Sequence, residues 1–131
     1  MSIRITGGTL RGRNVPSPDT SRTRPTASRT REALFNILQG VEGFRVLDLF
    51  AGTGIMGIEA ISRGAASVTA VEMSKPQAKL VRQAYTSLKL ESKLTLLETD
   101  VMDLSRDLLC KEGGFDLIYG DPPFKDMDYP D

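Results

Sequence analysis

From residue 45 onward, short apolar runs alternate with helix-like segments, and an acid stands at the end of each run. Val46-Leu47-Asp48-Leu49-Phe50, Ser67 to Val71, Leu94 to Leu97 and Phe115 to Tyr119 read as strands. Three helical patterns separate them. One carries Ile55, Ile58 and Ile61 and is closed by Gly64. The next is opened by Ser74 and carries Val81, Ala84, Tyr85 and Leu88 on one face. A short one runs from about Leu104 to Leu109. This alternation predicts a parallel α/β sheet with right-handed crossovers, here a Rossmann-like sheet of about four strands. Asp48, Glu72, Asp100 and Asp121 all fall at carboxyl ends of strands, where open parallel sheets bind ligands. One loop acid is usually just solvated. Four in the same topological position form a rim.

Asp48-Leu49-Phe50-Ala51-Gly52-Thr53-Gly54 follows the first strand. Glycines there let backbone approach a ligand, and a helix start offers free N–H groups and a positive dipole end. Those features suit the carboxylate of a methionine moiety as well as a phosphate. Gly52, Gly54 and Gly57 also spell G-x-G-x-x-G, which by itself permits a nicotinamide dinucleotide. Glu72 lies twenty residues after Gly52, at the end of the second strand, and an acid there accepts from ribose hydroxyls in either cofactor. Met73 reads either as packing on an adenine face or as core. Asp100 reads either as an acceptor for the adenine amine or as a helix cap. Candidate cofactor contacts are therefore Asp48, Phe50, Gly52, Gly54, Glu72, Met73, Asp100 and Val101.

Asp121-Pro122-Pro123-Phe124 discriminates between cofactors. Two prolines fix the backbone and remove two N–H donors, leaving a row of acceptors beside an aromatic face. An exocyclic base amine is a donor, and its base can stack on Phe124. Its lone pair is delocalised into the ring, so it is a poor nucleophile. Acceptors that hold its hydrogens favour a pyramidal nitrogen and aim the lone pair at a sulfonium methyl. These four residues are the candidate catalytic group, with S-adenosylmethionine as the expected cofactor.

Residues 1–40 form a different region from residues 41–131. Seven arginines and no lysine stand there against Asp19 and Glu32, an excess of five positive charges. Ser2 to Thr6 alternates, Gly7-Gly8 signals a turn, and Thr9 to Val15 can return, which predicts a basic hairpin. A helix follows from about Ser28 to Gly40, with Ala33, Leu34, Ile37 and Leu38 as its expected core stripe. Arginine contacts phosphates bidentately, so Arg4, Arg11, Arg13, Arg24, Pro25 and Thr26 are candidate RNA contacts. Histidine is absent and Cys110 is the single cysteine. That excludes a Cys/His zinc site within one chain, Ser-His-Asp catalysis and a disulfide framework. Cys110 reads as a small buried hydrophobe. A lone cysteine suits a reducing cytoplasm, and no apolar run is long enough to span a membrane. No metal and no membrane partner are expected.

Arg24-Pro25-Thr26, Arg31-Glu32-Ala33-Leu34-Phe35-Asn36-Ile37-Leu38, the Asp-Leu-Phe-Ala-Gly-Thr-Gly loop and Asp-Pro-Pro-Phe together resemble one family. It is the bacterial methyltransferases that modify the 2-amino group of a guanine in small-subunit ribosomal RNA. The likeness runs over nearly the whole chain, and its N-terminal part is the most specific. It implies S-adenosylmethionine as cofactor, and small-subunit rRNA or an assembling ribosomal subunit as partner. It also implies a seven-stranded sheet, of which about three strands would follow the Asp-Pro-Pro-Phe loop. The chain ends seven residues after Phe124. The expectation is thus a truncated methyltransferase sheet with its fourth strand on an exposed edge. Amine methylation of DNA adenine or another base, and a non-catalytic cofactor- or RNA-binding fragment, are the alternatives. A nicotinamide-dependent dehydrogenase is more distant.

Overall fold

A computed structural model describes residues 2–16, 28–104 and 114–120. Arg24, Pro25, Thr26, Cys110, Asp121, Pro122, Pro123, Phe124 and the expected helix beyond Leu104 lie outside the described residues. Strands β1 (Ser2–Arg4) and β2 (Asn14–Pro16) pair antiparallel. Helix α1 (Ser28–Ile37) follows, and then the alternating part begins: β3 (Arg45–Asp48), α2 (Ile55–Ser62), β4 (Ser67–Val71), α3 (Lys75–Ser87), β5 (Leu94–Leu97) and β6 (Leu117–Tyr119). A single 3₁₀ turn spans Val101–Asp103 between the last two strands. The four later strands form a parallel sheet in the order β5-β4-β3-β6. No helix among the described residues is long and apolar enough to cross a membrane.

The sheet is read most directly from its apolar runs, because parallel strands covered by helices need apolar residues on both faces. Val46, Val68, Leu94 and Leu117 stand in register across it. Helix α2 lies on that face, and all eight of its residues are buried. Its close approach depends on Gly57, where an added Cβ would lie 3.0 Å from Val68 Cγ1 and 3.6 Å from Leu94 Cδ2. The third glycine of G-x-G-x-x-G is thus a packing residue, consistent with any cofactor. Ile3, Ile5, Val15 and Phe35 join the same hydrophobic cluster as α2, β4 and α3. β6 begins at Leu117, two residues later than expected. Asp116 is held at the start of β3 instead: its carboxylate accepts from Arg45 N at 2.8 Å, and its N–H donates to Arg45 O at 2.8 Å. Within the described residues β6 has one sheet neighbour, β3, and Ile118 is exposed.

Two N-terminal expectations need correction. The hairpin does not turn tightly at Gly7-Gly8. A wide loop spans residues 5–13, closed by Ile5 N to Arg13 O and Gly12 N to Ile5 O, both 2.8 Å. Gly7-Gly8 docks on the end of α2. Thr9 N donates to the Ser62 carbonyl at 2.8 Å, and Leu10 N donates to Ser62 Oγ at 2.9 Å. A helix leaves its last carbonyls unpaired, and this loop satisfies one of them. Gly8 has φ +79°, and a Cβ there would overlap the Ser62 carbonyl, so no other residue fits.

The second correction is the face that α1 buries. Ala33 is exposed and Ile37 is 76% exposed, whereas Arg31 and Phe35 are buried and Leu34 and Leu38 half-buried. The helix is turned so that Arg31 meets Glu59, a carboxylate wholly buried in α2. Arg31 Nε lies 3.3 Å from Glu59 Oε1, and Arg31 Nη2 donates to the Arg4 carbonyl at 2.7 Å. Arg63 Nε lies 3.1 Å from Glu59 Oε2, and its guanidinium sits 4.8 Å from the Phe35 ring centroid. Thr6 N, Thr6 Oγ1 and Gly7 N also donate to Glu59 at 2.8–3.1 Å. Arg31 therefore belongs to the interior and not to the basic surface on which composition had counted it.

Removing Glu59 would take the carboxylate from a buried guanidinium and the acceptor from two backbone N–H groups. Glu59→Ala is expected to cost about 3–5 kcal/mol, and Phe35→Ala a similar amount, about 3–5 kcal/mol. Ile37→Ala should stay within about 0.5 kcal/mol, as at other exposed positions. Urea unfolding of the three variants tests the orientation of α1. A large loss at Ile37 with none at Glu59 would contradict it.

Candidate functional site

The strand order reverses next to β3. The chain moves outward through β4 and β5, then crosses back to pair β6 on the other side of β3. The crevice beyond the carboxyl ends of β3 and β6 is thus a topological switch point. Leu49 N donates to the Tyr119 carbonyl at 2.9 Å, continuing the pairing past the strands. An added Cβ on Gly120 would lie 3.5 Å from Leu49 Cδ1 and 3.9 Å from Phe50 Cε2. The residue just before Asp121 therefore rests on the loop that follows β3.

Three of the four expected rim acids come to this edge, each held differently; Asp121 lies outside the described residues. Asp48 is buried on the α2 side of the sheet, in a small cavity lined in part by Val46, Met56, Leu117 and Tyr119. Its Oδ1 accepts from Phe50 N at 3.3 Å. Asp100 caps the 3₁₀ turn, accepting from Met102 N at 3.0 Å, so its capping role is realised. Glu72 is the most constrained. Its Oε1 accepts from Gly52 N and its Oε2 from Ser74 N, each at 2.9 Å. A carboxylate offers about four acceptor positions, so two remain for a ligand, one on each oxygen. That matches the paired hydroxyls of a ribose.

Around these acids, Phe50 and Val101 are half-buried and Gly52 is partly open. Met73 is 65% exposed at the end of β4, which removes the core reading for it. Gly54 opens α2 in a left-handed conformation, against Val81 and Tyr85. Arg4, Arg11 and Arg13 are exposed, but their hairpin docks at the carboxyl end of α2, whereas Gly52-Thr53-Gly54 is at its amino end. Eight helical residues, roughly 12 Å, separate the two. The described residues hold no group of three or more His, Cys, Asp or Glu able to bind a metal.

Three further residues stand at this edge that the sequence reading did not assign to the site. Met102 is exposed on the loop after β5, next to the loop that carries Met73. Tyr85 buries its hydroxyl without a hydrogen-bond partner. Burial raises its pKa, nearby Asp48 raises it further, and Arg82 opposes both, so it stays a neutral phenol. Gln77 donates from Nε2 to the Gly52 carbonyl at 2.7 Å. Its signal in the sequence was Ser74-x-x-Gln77, a capping-box pattern.

A family model described as Conserved hypothetical protein 95 matches residues 3–131. The chain belongs to this family. It is 38% identical over 124 residues to ribosomal RNA small subunit methyltransferase D of Escherichia coli, covering 94% of this chain and 61% of that protein. The solved Escherichia coli protein yhhF is 33% identical, with a TM-score of 0.79 over 95% of this chain and 66% of that one. A Trypanosoma brucei PRMT1 enzyme–prozyme complex with AdoHcy is 25% identical, with a TM-score of 0.58 over 70% of this chain and 27% of that one. The fold is Rossmann-like α/β, as the sheet order and these neighbours agree. The chain spans a little under two thirds of the length of the Escherichia coli relative.

The clamp on Glu72 has a local consequence. In Glu72→Gln one backbone donor faces an amide NH₂, which cannot accept. Amide exchange at Gly52 or Ser74 should accelerate by roughly tenfold, the equivalent of about 1.4 kcal/mol of lost hydrogen bonding. Unchanged exchange at both amides would show that Glu72 does not hold this corner.

Proposed function

We propose that this chain belongs to an S-adenosylmethionine-dependent methyltransferase acting on the 2-amino group of a guanine in small-subunit ribosomal RNA. The observation that carries the reading is Glu72. Its carboxylate is locked by two backbone N–H groups beside a glycine-rich helix start, with one acceptor position left on each oxygen. That donor–acceptor set fits a nucleoside ribose. The exposed Met73 and Met102 on neighbouring loops supply apolar surface for a flat adenine. The AdoHcy in the Trypanosoma complex and the name of the Escherichia coli relative support the cofactor and the rRNA substrate.

When bound, S-adenosylmethionine supplies an electrophilic methyl group on a sulfonium. The chain's residues would do the rest by positioning. Glu72 would hold the ribose hydroxyls, and the Gly52–Gly54 turn with the start of α2 would take the methionine carboxylate. Asp121 and the Pro122 carbonyl accept from the target amine, Pro123 stiffens the loop, and Phe124 stacks on the base. The packing of Gly120 against Leu49 and Phe50 supports this tetrapeptide entering beside the cofactor. On methylation the amine would give up one proton, for which Asp121 is the candidate base. Arg4, Arg11, Arg13 and the Arg24-Pro25-Thr26 segment would hold RNA phosphates away from the reacting centre. Residues 1–40 then serve as an RNA-binding extension of the domain formed by residues 41–131, in the cytoplasm where ribosomes assemble.

Methyl transfer from labelled cofactor, with unmodified ribosomal subunits, free rRNA and duplex DNA as parallel substrates, tests the reading. Incorporation at guanine N2 in rRNA supports it. Incorporation only into DNA adenine, or none with any substrate, overturns it. Asp121→Asn should lower kcat by about two orders of magnitude with cofactor affinity nearly unchanged. Glu72→Ala should weaken S-adenosylhomocysteine binding by about 1–3 kcal/mol. For the arm, Arg11→Ala should flatten the slope of log affinity for RNA against log salt by about 0.7 to 0.9. Unchanged slope and affinity in both Arg11→Ala and Arg13→Ala would leave the hairpin with only a structural role.

A further inference from the structure

We infer that Gln77 is a positioning residue for the cofactor, acting through the backbone of Gly52. The inference rests on the cofactor reading above and concerns how that site is held in shape before the ligand arrives.

Gly52 has φ +58° and lies in the turn between β3 and α2. Both sides of its backbone are held by side chains from the corner between β4 and α3. Its N–H donates to Glu72 Oε1 at 2.9 Å, and its carbonyl accepts from Gln77 Nε2 at 2.7 Å. The corner is itself closed, because Ser74 N donates to Glu72 Oε2 at 2.9 Å and Gln77 N donates to Ser74 Oγ at 3.4 Å. Four hydrogen bonds thus form a ring through Gly52, Glu72, Ser74 and Gln77. The ring ties the glycine-rich turn to the acid expected to carry the ribose.

The helix alone does not account for this use of Gln77. Ser74 is the N-cap of α3 and Gln77 is three residues later. In a capping box the side chain at that position reaches back to the N–H of the cap residue. Here that N–H goes to Glu72, and the Gln77 amide reaches across to another loop. A glutamate at position 77 would serve the helix at least as well, being a box residue and an anion in the first turn. It could not donate to the Gly52 carbonyl, and it would bring a second carboxylate beside Glu72. Helix stability and site geometry therefore favour different residues at 77, and glutamine is the one the site needs.

The test is calorimetric binding of S-adenosylhomocysteine to the chain and to Gln77→Ala and Gln77→Glu, with thermal unfolding of all three. Gln77→Ala should raise Kd by about tenfold, the loss of roughly one hydrogen bond of about 1.4 kcal/mol. Gln77→Glu should raise it further while Tm stays level or rises. This split between affinity and stability is what a merely structural glutamine would not produce. Wild-type affinity in both variants overturns the inference and leaves the cofactor reading intact. Weakened binding in Gln77→Glu with a matching fall in Tm also overturns it, because general destabilisation then explains the loss. Absence of binding by the unsubstituted chain overturns the cofactor reading, and this inference with it.

Discussion

The carboxylate of Glu59 joins three separate stretches of chain. It sits in the middle of α2, wholly buried, and takes hydrogen bonds from Thr6 and Gly7 of the hairpin loop, Arg31 of α1 and Arg63 of the next turn. A carboxylate in a hydrophobic interior is tolerable only when its acceptor positions are filled and its charge is met. Glu59 meets both demands by drawing the N-terminal elements onto the sheet domain. The hairpin has only three residues in each strand, too few to stand alone in water. Its position depends on this anchor and on Ser62, together with the burial of Ile3, Ile5 and Val15.

Helix α2 links two surfaces of different chemistry. At its amino end the Gly52–Gly54 turn meets Glu72 and Gln77; at its carboxyl end the hairpin loop closes over Ser62. Because all of α2 is buried, neither end can shift without disturbing the core between them, and close-packed interiors transmit such strain. The exposed arginines of the hairpin and the carboxyl edge of the sheet are therefore held at a fixed separation. A ligand reaching both would have to span more than a single nucleotide.

Much of this was legible in the sequence. The strand–helix alternation, the acids at strand ends and the Ser74 cap follow from local pattern, and so does the inward face of α3 at Val81, Ala84, Tyr85 and Leu88. These elements carry their information in their own apolar periodicity. α1 did not. Its apolar residues allow two overlapping stripes, one through Ala33 and Ile37 and one through Leu34 and Phe35. The choice fell to a buried ion pair with a residue twenty-eight positions later. Asp100 was legible only as an open choice, since a strand-end acid that could meet a ligand can equally cap the next turn.

By itself the sequence determined the class of fold, the strand-end positions of Asp48, Glu72 and Asp100 and the glycine-rich turn after β3. Those depend on short-range periodicity, chain topology and the backbone freedom of glycine. Tertiary structure alone decided which polar side chains are interior ties and which stay exposed. Arg31 and Arg4 both belong to the same arginine-rich stretch, yet one is buried against Glu59 and the other is exposed. Gln77 stands at a capping-box position, yet its amide donates to the Gly52 carbonyl on another loop. A polar side chain's role is set by the partner that fills its hydrogen bonds. When that partner comes from a distant part of the chain, no local pattern names it.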